Sequence, residues 1–189
     1  MKMVRFRFKL TIAFIIFALA VLIPTVYLIY ETSAKRQTRD LKDRILGIVR
    51  LSSAGIDADK VSRIRPVPES KESRDYQEVK RSLQELRNSD PLIDSIYLMV
   101  KSEDDDVLLF LVDSGDKRKV SADCGEKYDI SGIEEMREAF ISPRVDKNFT
   151  KDKWGTFLSG YAPIYNKDKE PIAIICADVR AESVVAMQL

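Results

Sequence analysis

The groups with the greatest chemical reach in this sequence are carboxylates. Asp146, Asp152 and Asp178 fall late in the chain, and paired carboxylates can serve as acid and base in glycosidic cleavage when they face each other across a substrate. No catalytic motif accompanies them. A second cluster, Ser102-Glu103-Asp104-Asp105-Asp106, has the charge to attract a hard divalent cation. It lacks the alternating ligands and the glycine of an EF-hand loop, so a solvated turn is expected and no metal. The sequence contains no histidine, which removes the usual general base near neutral pH and every Ser-His or Cys-His pair. Two cysteines, Cys124 and Cys176, are too few for a disulfide framework, and spacing alone does not decide whether they pair. The expectation is a chain that is not an enzyme and carries no cofactor.

These groups are positioned by elements that the apolar pattern marks out. Residues 10–30, LTIAFIIFALAVLIPTVYLIY, form an uncharged run that would rise about 32 Å as a helix, enough to cross a bilayer. The run is longer than the apolar core of a cleaved signal peptide, so it reads as an uncleaved anchor. Of the 31 basic residues, Lys2, Arg5, Arg7 and Lys9 precede it; the other 27 face 30 acidic ones. The remainder is mildly acidic, without the basic stripe that nucleic-acid binding needs. Basic residues flank both ends of the run, and because a large domain translocates largely regardless of its charge, residues 31–189 are expected outside the cytoplasm.

Beyond the anchor, Leu41, Ile45, Ile48 and Val49 recur at helical spacing, which predicts a stalk helix over residues 31–55. Its stripe either packs on the following domain or pairs with a second copy as a homodimer. Tyr76, Val79, Leu83 and Leu86 predict a second helix ending at Asp90-Pro91. SIYLMVK (95–101) and VLLFLVD (107–113) read as an antiparallel hairpin. Ser131 and Glu134 have capping-box spacing before a short helix that carries Ile133, Met136 and Phe140. A short strand is possible at 144–150. Residues 154–165 and 171–179 form a closing hairpin in which Trp154 is expected on the face opposite Phe157, Ser159 and Tyr161. The fold class is therefore α+β, with an antiparallel sheet of about five strands.

With these elements in order, the chain resembles the extracytoplasmic PAS-like sensor domains of the single Cache type. The resemblance rests on the anchor and long helix, Ile56-Asp57-Ala58-Asp59, Tyr76 at the head of the second helix, SIYLMV, and DKWGTFLSGYAPIYNKDKEPIAIICADV. It covers roughly residues 31–184, and its motifs are mostly structural. It implies a small-molecule ligand held between the sheet and the segments before the closing hairpin. Asp152-x-Trp154-Gly155 matches the family's strand entrance, Tyr161 the strand interior, and Asp178 the acidic residue of the last strand. Arg144, just upstream, is a further candidate, as a cation for a carboxylate ligand. The expected ligand site is thus Arg144, Trp154, Tyr161 and Asp178.

The resemblance also implies the input part of a histidine kinase, cyclase or chemoreceptor in the plasma membrane. The expected division is a basic flank at 1–9, a transmembrane helix at 10–30, a stalk at 31–55, a sensor domain at 56–183 and the stub of an output helix at 184–189. Two departures stand out: the turn NKDKEP lacks the glycine usual near position 170, and AESVVAMQL closes the sequence without a second span. The rival expectation is a structural or interaction domain that keeps the fold without sensing. On that reading Trp154 and Tyr161 are core aromatics, and Asp178 is the residue that packing explains least.

Overall fold

The computed structural model describes residues 2–115 and 120–183, with side chains from residue 11 onward except that of Ala34. The expected output-helix stub at 184–189 and the side chains of the basic flank lie outside the described residues. Contacts divide the chain into two units, residues 1–41 and 42–189. Helix α1, Lys2–Gly55, runs through both. In the first unit it carries the apolar run with its large side chains exposed, Phe14, Phe17, Leu22 and Ile29 among them. The helix is long and apolar enough to cross a membrane and continues through Pro24.

The second unit is α+β. Helices α2 (Ala58–Arg63) and α3 (Arg74–Ser89) precede strands β1 (Ile93–Lys101), β2 (Val107–Asp113) and β3 (Lys127–Asp129). Helix α4 (Glu134–Glu138) follows, then β4 (Arg144–Val145), β5 (Thr150–Lys151), β6 (Thr156–Tyr165) and β7 (Pro171–Arg180). The strands form one antiparallel sheet in the order β3-β2-β1-β7-β6-β4, with β5 also on β6. Seven strands among the described residues replace the expected five. The expected strand at 144–150 is split in two, and β3 adds a short edge.

Local sequence explains most boundaries. Asp57 caps α2 by accepting from the Lys60 N–H, and Ser73 caps α3 by accepting from the Tyr76 N–H. The Ile-Asp-x-Asp stretch is thus a helix start. Tyr76, Val79 and Leu83 form the buried face of α3. Pro163 is tolerated in β6 because β4 ends opposite Tyr161, so among the described residues Pro163 pairs with β7 alone.

The capping box at Ser131 does not form. Helix α4 begins after Ile133, and Asp129 instead accepts from the Ser131 N–H at 2.8 Å, an Asx turn that engages the segment first. Cys124 and Cys176 are free, buried thiols. The NKDKEP turn manages without glycine because Asn166 Oδ1 accepts from both Asp168 N and Glu170 N. Lys169 takes the left-handed conformation instead, with φ of 63°.

Two layers cover the sheet. On one face the end of α1 packs Ile45 and Val49 over Gly160, where a Cβ would collide with Ile45 Cγ2. Glycine at 160 is what lets the helix approach so closely. On the other face lies a cluster that includes Met99, Phe110, Met136, Phe140, Tyr161 and Ile174. The candidate site opens on that second face.

Candidate functional site

The site forms where four strands bring polar side chains to the edge of an aromatic cluster. Asp178 of β7 is opposite Ser95 of β1 and Ser159 of β6. Its carboxylate accepts from the Ser95 hydroxyl at 3.1 Å and from the Tyr97 hydroxyl at 3.3 Å. Above it, Phe110 of β2, Tyr128 of β3 and Trp154 form an aromatic wall. The Phe110 ring centroid lies 5.5 Å from Trp154, 5.9 Å from Tyr128 and 5.2 Å from Tyr97. Asp152 holds the turn into β6 by accepting from the backbone N–H groups of Trp154 and Gly155, and the Tyr128 hydroxyl donates to it at 3.3 Å.

These groups line a pocket completed by Asp94, Asp113, Val120, Ala122 and Phe157. Its empty volume, open mouth included, is about 410 Å³. The interior is narrow, with room for about two water molecules, so a bound amino acid would have to displace the walls.

Four carboxylates line this pocket, and they are compensated differently. Asp94 is paired with Arg180, whose Nε lies 3.1 Å from it, and Arg180 also donates to the Trp154 carbonyl and lies over the Phe157 ring. Asp113 accepts from the backbone N–H groups of Gly115 and Ala122. Asp152 is occupied by its turn. Asp178 is 7% exposed and among the described residues forms no ion pair. Burial, above all, pushes its carboxyl up to about 7, against the Ser159 and Ser95 hydroxyls that favour the anion, while Asp152 and Asp146 push it further up.

Behind the pocket, Asp146 is 2% exposed and accepts from the Tyr161 hydroxyl at 2.8 Å and from the Ser159 N–H at 3.1 Å. Burial raises its carboxyl to about 6 despite those bonds.

Of the residues singled out in the sequence, the structure brings Asp178 and Trp154 together in the pocket. Trp154 reaches it from the face opposite to the one expected. Alternation fails there because Gly155, at φ of 156°, redirects the chain before β6 begins, and a side chain at 155 would strike Arg180. Tyr161 is buried beside the pocket with its hydroxyl committed to Asp146. Arg144 is placed elsewhere: it pairs with Glu138 at 2.7 Å and is not a wall of the pocket. A short edge strand sends its side chain toward α4.

Sequence reasoning missed Asp94, Ser95, Asp113 and Tyr128. Asp113 reaches the pocket through a bulge that leaves Met99 opposite Phe110 but Tyr97 opposite Asp113. A matching irregularity between Ile93 and Ser95 admits both Asp94 and Ser95. Nothing in the alternation of either strand announces these shifts.

The fold is similar to that of sensory ligand-binding domains among solved structures. One is the ligand-binding domain of the Campylobacter jejuni chemoreceptor Tlp3 in complex with 4-methylisoleucine, with a TM-score of 0.54 at 17% identity, covering 81% of this chain and 56% of that one. Another is the Escherichia coli DcuS sensor domain, with a TM-score of 0.53 at 12% identity, covering 81% of this chain and 98% of that one. The periplasmic sensory domain of C. jejuni Tlp1 gives 0.51 at 10% identity, covering 82% of this chain and 59% of that one. The chain thus spans under two thirds of the chemoreceptor domains and nearly the whole DcuS domain. What it shares with them is the fold, in agreement with the Cache-type resemblance. No family model matches the chain, and no curated protein sequence does.

Proposed function

We propose that this chain is the ligand-sensing module of a membrane-anchored receptor whose pocket takes a small molecule bearing a cationic amine, an amino acid or a related compound. The observation that carries the ligand chemistry is Asp178. A buried carboxyl with hydroxyl partners and no ion pair among the described residues is costly to ionise until a cation completes it. An ammonium group donates to Asp178 in a wall shared with the Trp154 and Tyr128 rings, and the Trp154 ring already carries a cation, Lys153 Nζ, 4.3 Å from its centroid. An organic acid without an amine meets four carboxylates in the same pocket and gains nothing comparable. Solved Tlp3 domains hold L-valine, isoleucine and L-norvaline, which supports an amino acid as the class.

On this reading residues 10–30 cross the membrane, 31–55 form the stalk and 56–183 sense outside the cytoplasm, with no catalytic role. The exposed apolar run of α1 supports the anchor. Ligand binding favours one arrangement of the stalk over another, as differential affinity requires, and a histidine kinase, cyclase or chemoreceptor module reads the change. Leu51, 78% exposed on α1, supports a second copy pairing along the stalk.

One observation favours a non-sensing domain of the same fold: the narrow interior of the pocket. A thermal-shift screen of the full chain in nanodiscs, against standard L-amino acids, alkylamines and dicarboxylates, separates the two. Stabilisation by an amine-bearing compound is expected. Stabilisation by dicarboxylates alone would refute the amine assignment, and a panel without any stabilising compound would favour the structural domain.

A further inference from the structure

Ser159 sits between two buried carboxylates. Its N–H donates to Asp146 at 3.1 Å, the Asp146 N–H returns a bond to the Ser159 carbonyl at 2.9 Å, and its hydroxyl faces Asp178 on the neighbouring strand. We propose that Asp146 is a positioning residue of the pocket, adding its charge across Ser159 to the burial that keeps Asp178 protonated in the empty site, so that cation binding at Asp178 expels a proton and is strengthened as the external pH rises. The ligand half of this statement rests on the function proposed above.

The surroundings of both carboxylates define the couple. Asp178 faces Ser95 and Tyr97 from β1, Ser159 and Tyr161 from β6, Tyr128 from β3, Cys176 on its own strand, and Asp152 from the turn before β6. Its near cation, Arg180, is committed to Asp94, and Asp113, which lines the same pocket, to backbone N–H groups. Asp146 faces Tyr161 and Ser159 from β6, Glu135 from α4 and Lys42 from α1.

The tyrosines and Cys176 are pushed upward by burial and by these carboxylates, so they hold their protons across the neutral range. Two buried carboxyls joined in this way titrate as a pair, the charge of one opposing ionisation of the other. When an ammonium group meets Asp178, the carboxyl O–H breaks, the proton leaves to water, and the carboxylate retains the electron pair.

Trp154, the sole tryptophan of the chain, lines the pocket with Asp178 and reports its charge without any ligand. The experiment is a fluorescence titration of the full chain in nanodiscs from pH 5 to 9. The wild type is expected to show a midpoint near pH 7, absent in Asp178→Asn. Asp146→Asn removes one opposing charge and moves the midpoint to lower pH. Ser159→Ala keeps the N–H bond to Asp146 but removes a hydroxyl that favours ionised Asp178, and moves it to higher pH. These opposite displacements are not expected of merely loosened packing. Coincident midpoints in the wild type and both variants, or a transition that survives Asp178→Asn, would overturn the proposal. The displacements in a protein that no amine stabilises would support the relay and refute the ligand reading, so the two fail separately.

Discussion

Replacing Asp178 by Asn tests the cost of the buried carboxylate through stability. The folded protein holds the Asp178 proton up to about pH 7, whereas the unfolded chain releases it near 3.8. Between those values the folded state binds more protons, so stability falls as pH rises through the window. Three pH units at 1.36 kcal/mol each set a limit of about 4 kcal/mol, of which about 2–3 kcal/mol is lost between pH 5 and pH 8. The carboxamide oxygen can accept from either Ser95 or Tyr97, its NH2 group then facing the other hydroxyl as a donor, and the group does not ionise.

Urea denaturation of the full chain in nanodiscs, followed by Trp154 fluorescence, should show Asp178→Asn gaining on the wild type by about 2–3 kcal/mol over that pH range. The gain corresponds to roughly 5–10 °C in Tm at pH 8 for a domain of this size. Parallel pH profiles for the two proteins would refute the reasoning, because they would mean that Asp178 is ionised, and compensated, in the folded state.

Three further substitutions test how the pocket is framed. Gly160→Ala drives a methyl group into Ile45 and should cost about 1–3 kcal/mol by denaturation, partly recovered in Gly160→Ala/Ile45→Ala. Arg180→Ala leaves the buried Asp94 without its ion pair and should cost about 3–5 kcal/mol, whereas the Arg180→Ala/Asp94→Ala double variant should lose less than the sum. Lys169→Gly relieves a left-handed residue in the β6–β7 turn and should raise stability by up to about 1 kcal/mol, read as a higher urea midpoint.

The fold was legible where sequence periodicity and physical packing coincide. Tyr76, Val79 and Leu83 at helical spacing became the buried face of α3, and the unbroken apolar run 107–113 became β2 with the expected bounds. Asp178 stood out because a carboxylate among Ile174, Ile175, Cys176 and Val179 has no packing explanation, and it lies in the pocket.

The rest of the site was hidden by departures from regularity. A strand with perfect alternation would have turned Asp113 away from Tyr97, and Trp154 away from Phe157; a bulge and Gly155 reversed both. Arg144 stands out in the sequence for its charge and its nearness to Trp154. Its two-residue strand delivers it to Glu138 instead. Ser131 lost its cap to Asp129, a competition between two short polar side chains that spacing alone does not resolve.

The most direct test of the central claim is a pair of calorimetric titrations on the full chain in nanodiscs, using the best-stabilising L-amino acid and the α-hydroxy acid of identical side chain. The amino acid is predicted to bind the wild type, with its hydroxy acid weaker by at least tenfold, and Asp178→Ala is predicted to lose most of that preference. Equal binding of the two compounds, or a preference that survives Asp178→Ala, would contradict the assignment of Asp178 as the amine-binding carboxylate.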